Sequence, residues 1–321
     1  MDLRSEERCP ILSYILRRLL FMIPILFGVT LITFILFNVL IGDPAVRFAG
    51  RHATAERVAT IKAELGLDRS LPEQYVFFVK QVVTLDFGRS WATKQQISTM
   101  IDDGFSATIS LTAPPFIFGV FFSVALAMVA SYFRGKFFDK AVVVACLALL
   151  SISSLVYILG LQYGFAYKLG LFPISGWDPS WTGRWQYLAL PWIILFVLLL
   201  GGNILVYRSV ILDEAYQDYV RTARSKGLSS RSVYARHILK NAMIPIITVV
   251  VIEMPFLITG SVLIENFFGI PGLGGMLVKA LNESDFPVIK AMTVIISIAY
   301  MFFNLLSDIL YSVVDPRIRL G

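Results

Sequence analysis

Two features of this chain carry groups able to do chemistry. Glu253 lies in VVVIEMPFL, in the middle of an apolar run. A carboxylate at such a depth is protonated or hydrogen-bonded, and an acid inside a membrane is a functional position by default. Two readings are open: a group on a translocation path, or a neutral acid bonded to a neighbouring helix. The other feature is DEAYQDYVRTARSKGL, where Asp213, Glu214, Asp218, Arg221, Arg224 and Lys226 carry charge. Each would cost about 2.5–3.5 kcal/mol at a bilayer centre. All six would cost roughly 15–20 kcal/mol, so the segment lies in water. Catalytic and metal chemistry find little material. The histidines are His52 and His237, and the cysteines Cys9 and Cys146 have neither metal nor redox spacing. There is no phosphate loop of the G-x4-G-K-[ST] type and no His-Glu-x-x-His.

The elements that must position these groups follow from composition. Of 321 residues 57% are hydrophobic and 16% charged, with mean hydropathy +0.73. Soluble domains carry about 25% charged residues, so this is a membrane composition. Crossing about 30 Å of hydrocarbon takes roughly 20 residues. Six runs reach that length, at 19–41, 108–133, 141–165, 186–207, 243–265 and 288–312. The first exceeds a signal-peptide core, and no small-residue cleavage site follows it, so it is read as a retained anchor. A net charge of +6 would also suit a nucleic-acid binder, and the distribution of cations decides. With the N-terminus cytoplasmic, inside segments hold sixteen Lys and Arg. The short outer segments hold four, counting Lys290 at the edge of the last span. Long loops translocate regardless of charge and are set aside, so both termini are expected in the cytoplasm. Nucleic acid is not an expected partner; membrane lipid is.

Trp177, Trp181 and Trp185 recur every four residues before span 4, as an aromatic belt at the outer interface or as packing groups. Loop 42–107 is too long for a plain connector. Within it ATAERVATIKAELGLD reads as a helix capped by Thr54 and stopped near Gly66. In the charged segment Tyr216, Val220, Ala223 and Gly227 form a narrow helical stripe. Gly227 followed by Leu228 suits a Schellman stop. SSRSVYARHILKNA then starts a second helix, capped by Ser229 or Ser230, that runs into span 5. Small stripe residues let a partner's backbone approach closely, where a lipid-lying helix would carry large apolar anchors; docking on a partner and a lipid-facing or packing role are both open readings. Asn38, Asn203 and Asn304 are expected to bond between helices.

YVRTARSKGL followed by RHILKNAMIP resembles the cytoplasmic loop of ABC-importer permeases, in the dipeptide/oligopeptide branch. That loop is a relaxed EAA motif: Arg221-Thr222-Ala223 stands at the Glu-Ala-Ala positions, and Gly227 keeps its place. YILRRLLFMIPILFGVTLITF, IGDPA, LGLDRSLPEQY, LDFGRSW, FFGIPGLGGML and NLLSDILYSVVDPRIRLG resemble the family in order, so the likeness covers nearly the whole chain. It implies an all-α membrane protein of the type I ABC-importer permease fold. That is six transmembrane helices in one permease domain (1–321), with an external cap (42–107), core spans (108–312) and a cytoplasmic coupling loop (208–242). Its implied function is that of a permease subunit of a bacterial inner-membrane peptide importer, without enzymatic activity of its own. Implied partners are a second, related permease, two ABC ATPases and an extracytoplasmic binding protein, with ATP and Mg on the ATPases and no cofactor in this chain. The coupling helix would dock on an ATPase through Tyr219, Val220, Arg221, Thr222, Ala223, Arg224, Lys226, Gly227 and Leu228. The family favours amide or small residues near Glu253, so this acid is a departure that could meet a peptide amine on the path. Asp308 matches the family's NLLxDxxY pattern and is expected to cap or pair locally. The GIPGLG turn, Gly269 to Gly274, is read either as an outer gate or as an ordinary loop. Family cargoes also include nickel chelates, peptide antibiotics and sugars; an ion-coupled secondary transporter is the rival class.

Overall fold

Apolar runs that exclude water can satisfy their backbone only as helices or closed barrels. In this computed structural model the described residues, 9–40, 45–46, 54–64 and 67–314, are helical almost throughout. In chain order the helices are α1 (Cys9–Ile35, prolonged by a π turn, Leu36–Leu40), α2 (Ala55–Glu64) and α3 (Leu71–Thr84). Then come α4 (Ile97–Tyr132), α5 (Phe137–Ser151), α6 (Ser154–Leu161, prolonged by a π turn to Lys168), α7 (Trp181–Ala215) and α8 (Asp218–Ser225). A continuous stretch follows: α9 (Ser230–Val233), a π turn (Tyr234–Ile238) and α10 (Leu239–Glu253). The last are α11 (Phe256–Thr259), α12 (Val262–Phe268), α13 (Leu273–Glu283) and α14 (Phe286–Val314).

Among the described residues five stretches are long and apolar enough to cross a membrane: Arg17–Asn38, Ile97–Tyr132, Trp181–Ala215, Ser230–Phe268 and Phe286–Leu306. The run expected to form a single span at 141–165 is instead two helices, α5 and α6, meeting at 89°. The cause is local. Ile152 and Ser153 take extended backbone, with Ser153 at the N-cap of α6. Serine favours such a cap over a helix interior. The Tyr157 hydroxyl crosses the bend to donate to the Leu149 carbonyl at 3.0 Å, which keeps that group satisfied without water.

The chain divides into two packing units. The first comprises Met1–Ala107 and Pro271–Leu305. Here the loop after span 1 holds α2, with Thr54 accepting from Arg57 N as expected, and α3, where Glu73 reaches back to Ser70 N. Gly66, the expected stop of α2, lies outside the described residues. Tyr75 of α3 packs edge-on against Phe27 and Phe34 of α1. The segment 88–97 is pinned to the start of α14 through Asp285, which accepts from Ser90 Oγ, Trp91 N and Ala92 N. A β-carbon on Gly104 of α4 would meet Leu273 Cδ2 at 3.0 Å, so glycine allows α13 to start close by.

The second unit comprises Thr108–Ile270 with Leu306–Arg319. Proline interruptions find partners within it. Pro114 cannot donate to the Ser110 carbonyl, and Trp192 Nε1 donates there instead at 2.9 Å. Gly260, at φ +67°, separates α11 from α12 and deprives the Leu257 carbonyl of its helical donor. Thr112 Oγ1 supplies that bond at 3.0 Å. Glu265, 1% exposed, accepts from Thr108 Oγ1 at 2.9 Å beside the same break. The tryptophans divide the two roles open to them. Trp177 and Trp181 flank the guanidinium of buried Arg184 at 4.3 and 5.0 Å, while Trp181 and Trp185 remain exposed. The side chain of Asp308 lies outside the described residues.

Candidate functional site

Asp213 and Glu214 of the charged segment close α7, and after a break at Tyr216–Gln217 the rest forms α8, joined to α9 by a tight turn. α8 ends in a full Schellman motif: Gly227 N donates to Arg224 O at 2.9 Å and Leu228 N to Ala223 O at 3.4 Å. Gly227 sits at φ +78°, where residues with a β-carbon are strained. Ser229 then caps α9, accepting from Ser232 N. The sequence thus located both the stop and the restart.

Of the expected stripe Val220 and Ala223 face inward, while Tyr216 and Gly227 are exposed. Val220 is fully buried and Ala223 is 5% exposed, in a cluster with Ala127, Tyr207, Ile211, Val233 and Ile238. Small stripe residues were expected to admit a partner's backbone; they admit this chain's own α4, α7 and α9–α10. Burying Val220 in this way is worth about 1.5–2 kcal/mol. Arg221, Thr222, Arg224, Lys226, Gly227 and Leu228 are exposed, and Tyr219 is half-buried. Tyr219 donates to Glu214 Oε2 at 2.6 Å. Burial, followed by that bond, pushes its phenol up to about 12, so it stays a donor at any physiological pH. Arg221 and Asp218 lie 3.6 Å apart in solvent, where such a pair contributes little. A partner meeting α8 therefore meets a polar, mostly cationic surface carried on an apolar base.

That base is tied down by groups the sequence reading did not single out. Tyr234 donates to the Ser131 carbonyl at 3.1 Å and packs on Tyr132. Arg134 covers the ring of Tyr216 at 4.8 Å. Arg208, near the end of α7, makes a two-point pair with buried Asp139 at 2.6 and 2.8 Å, and Asp139 also accepts from Gly135 N. The available signal was a lone acid opening one apolar run and a lone arginine closing another.

Glu253 is not part of this assembly of loop helices. It is half-buried on α10, and Asn203 of α7 donates to its Oε2 at 3.2 Å. Asn203 thus bonds between helices as expected, and Asn38 does so with Gln74 of α3.

Apolar spans carrying a clamped pair of loop helices define a multi-pass membrane subunit whose chemistry lies in its contacts. A family model described as binding-protein-dependent transport system inner membrane component matches residues 119–320. The N-terminal model of the same transport systems matches residues 11–112. The chain belongs to this family: it is an ABC-importer permease subunit of the peptide type, a multi-pass protein of the bacterial inner membrane and not an enzyme. It is similar to the glutathione transport system permease protein GsiC of Salmonella choleraesuis, 36% identical over 96% of this chain and 99% of that one. The Escherichia coli protein of that name is 33% identical over the same shares.

Proposed function

We propose that this chain is one of two related, non-identical permeases of a peptide importer. Both its termini and residues 208–242 face the cytoplasm, and separate ATPases drive it through α8. The observation that carries the cargo is end-to-end similarity to permeases named for glutathione, itself a tripeptide. The coupling role is supported by α8: a polar face exposed to a partner and an apolar face locked into the bundle can transmit displacement to α4 and α7. A binding protein delivers the peptide on the opposite side, where loop 42–107 and the Gly269–Gly274 turn are placed by the distribution of cations. Proteoliposomes holding the complete importer test this reading. ATP- and binding-protein-dependent uptake of glutathione or dipeptides is the expected result. Uptake confined to a nickel chelate or a sugar would overturn the peptide assignment while leaving the importer intact.

Within the same reading Glu253 lies on the path, with Oε2 bonded to Asn203 and Oε1 available to a peptide amine. Glu253→Gln keeps the hydrogen bond and removes the charge. It is expected to slow uptake of peptides with a free amino terminus about tenfold, and of N-acetylated peptides hardly at all. Equal uptake of both by the variant would leave Glu253 only its bond to Asn203.

A further inference from the structure

Within the first unit a cavity of about 530 Å³ opens where α1 ends, α14 begins and α3 packs beside them. Arg69, Arg89, Lys94 and Lys290 contribute to its walls, and among the described residues no Asp or Glu does. Three neighbouring carboxylates are engaged by local hydrogen bonds, Asp285 by Ser90 Oγ as well. Asp285 accepts from Trp91 N and Ala92 N, Glu73 from Ser70 N and Asp86 from Gly88 N. The Lys290 ammonium donates to Asn38 Oδ1 and lies over the rings of Phe34 and Phe78 at 5.6 and 5.5 Å. These partners are neutral, so they hold the cation without cancelling it. The cavity thus favours an anion, and its aromatic walls favour one with an apolar body.

Its depth narrows the choice. Asn38 closes the span Arg17–Asn38, and Lys290 lies in the first turns of Phe286–Leu306, so their bond marks one hydrocarbon boundary. Beside it α3 exposes Val76, Phe77 and Val83, and Phe77 also lines the cavity. A helix that buries Phe78 and Val82 inward while presenting apolar groups outward behaves as an interfacial helix at headgroup level. We propose that this cavity binds the phosphate-bearing headgroup of an anionic phospholipid, whose acyl chains run along Val76, Phe77 and Val83. The site needs only a chain set in a bilayer and does not depend on cargo or orientation.

Native mass spectrometry of the full-length chain, released from vesicles of equal phosphatidylglycerol and phosphatidylcholine, tests this. The wild type is expected to retain phosphatidylglycerol in preference to phosphatidylcholine. Lys290→Gln should cut that preference about fivefold, as one headgroup cation does near a surface. Arg69→Gln/Arg89→Gln alters only exposed side chains and should cut it at least as much in a chain that still elutes as a single species. Equal retention of the two lipids by the wild type, or an unchanged preference in the double variant, would overturn the proposal. Displacement of retained phosphatidylglycerol by excess dialanine would also overturn it, and would assign the cavity to a peptide carboxylate.

Discussion

Gly227→Glu is expected to leave the chain inserted and to reduce ATP-driven uptake by more than about tenfold, while Gly227→Asn retains most of it. Both variants place a β-carbon at φ +78°, but Asn tolerates the left-handed region and preserves the Schellman bonds. Among the described residues nothing beyond its chain neighbours lies within 4 Å of that β-carbon. A glutamate there therefore adds a negative charge to the cationic face of α8, where the proposed ATPase contact would meet it. Its effect beyond that of Asn measures the partner contact. Uptake and ATPase activity of the reconstituted complex separate the outcomes: continued ATP hydrolysis without transport is the uncoupled state. Equal loss in both variants would trace the defect to the backbone turn, and equal activity would remove the turn from the docking surface.

Asp139→Ala is expected to cost about 3 kcal/mol of stability, the lower end for a broken buried pair, because the Arg208 side chain keeps 20% of its exposure. The loss has two parts. Arg208 is left without its two-point acceptor, and the Gly135 amide loses the carboxylate that terminates the turn before α5. Thermal unfolding of the purified chain in detergent reads the shift. Asp139→Leu/Arg208→Leu removes both charges and should recover most of it, since an apolar replacement avoids the cost of desolvating two ions. A single variant as stable as the wild type would show that Arg208 swings into water without penalty.

How much of this was readable from residue order varies by element. The apolar stretches of five spans came from run length, since a bilayer demands about 20 such residues wherever they sit, though the helices carrying the second and fifth begin at Ile97 and Ser230, well before residues 108 and 243. The stop at Gly227, the caps at Thr54 and Ser229, and the continuity of the second loop helix into span 5 also came from local chemistry. Each involves groups only a few residues apart. The kink at Ile152–Ser153 did not, because Ser-Ile-Ser-Ser in an apolar run is compatible with either a continuous or a broken helix. Which side of α8 faces the chain was not available either. Of the expected stripe only Val220 and Ala223 share a buried face of α8, with Tyr216 and Gly227 exposed, and a stripe shows only that one face is distinct, not what covers it.

Sequence alone therefore determined the membrane class, the segments that enter hydrocarbon and the polar loop that cannot. All three follow from transfer free energies that add along the chain. Only the tertiary structure decided that Val220 and Ala223 anchor inward, that Asp139 meets Arg208 and that Lys290 stands over two aromatic rings beside a cavity it lines with three further cations. Asp139 and Arg208 stand 69 positions apart and Lys290 more than 200 from either ring, so such partners are chosen by packing and not by any local preference.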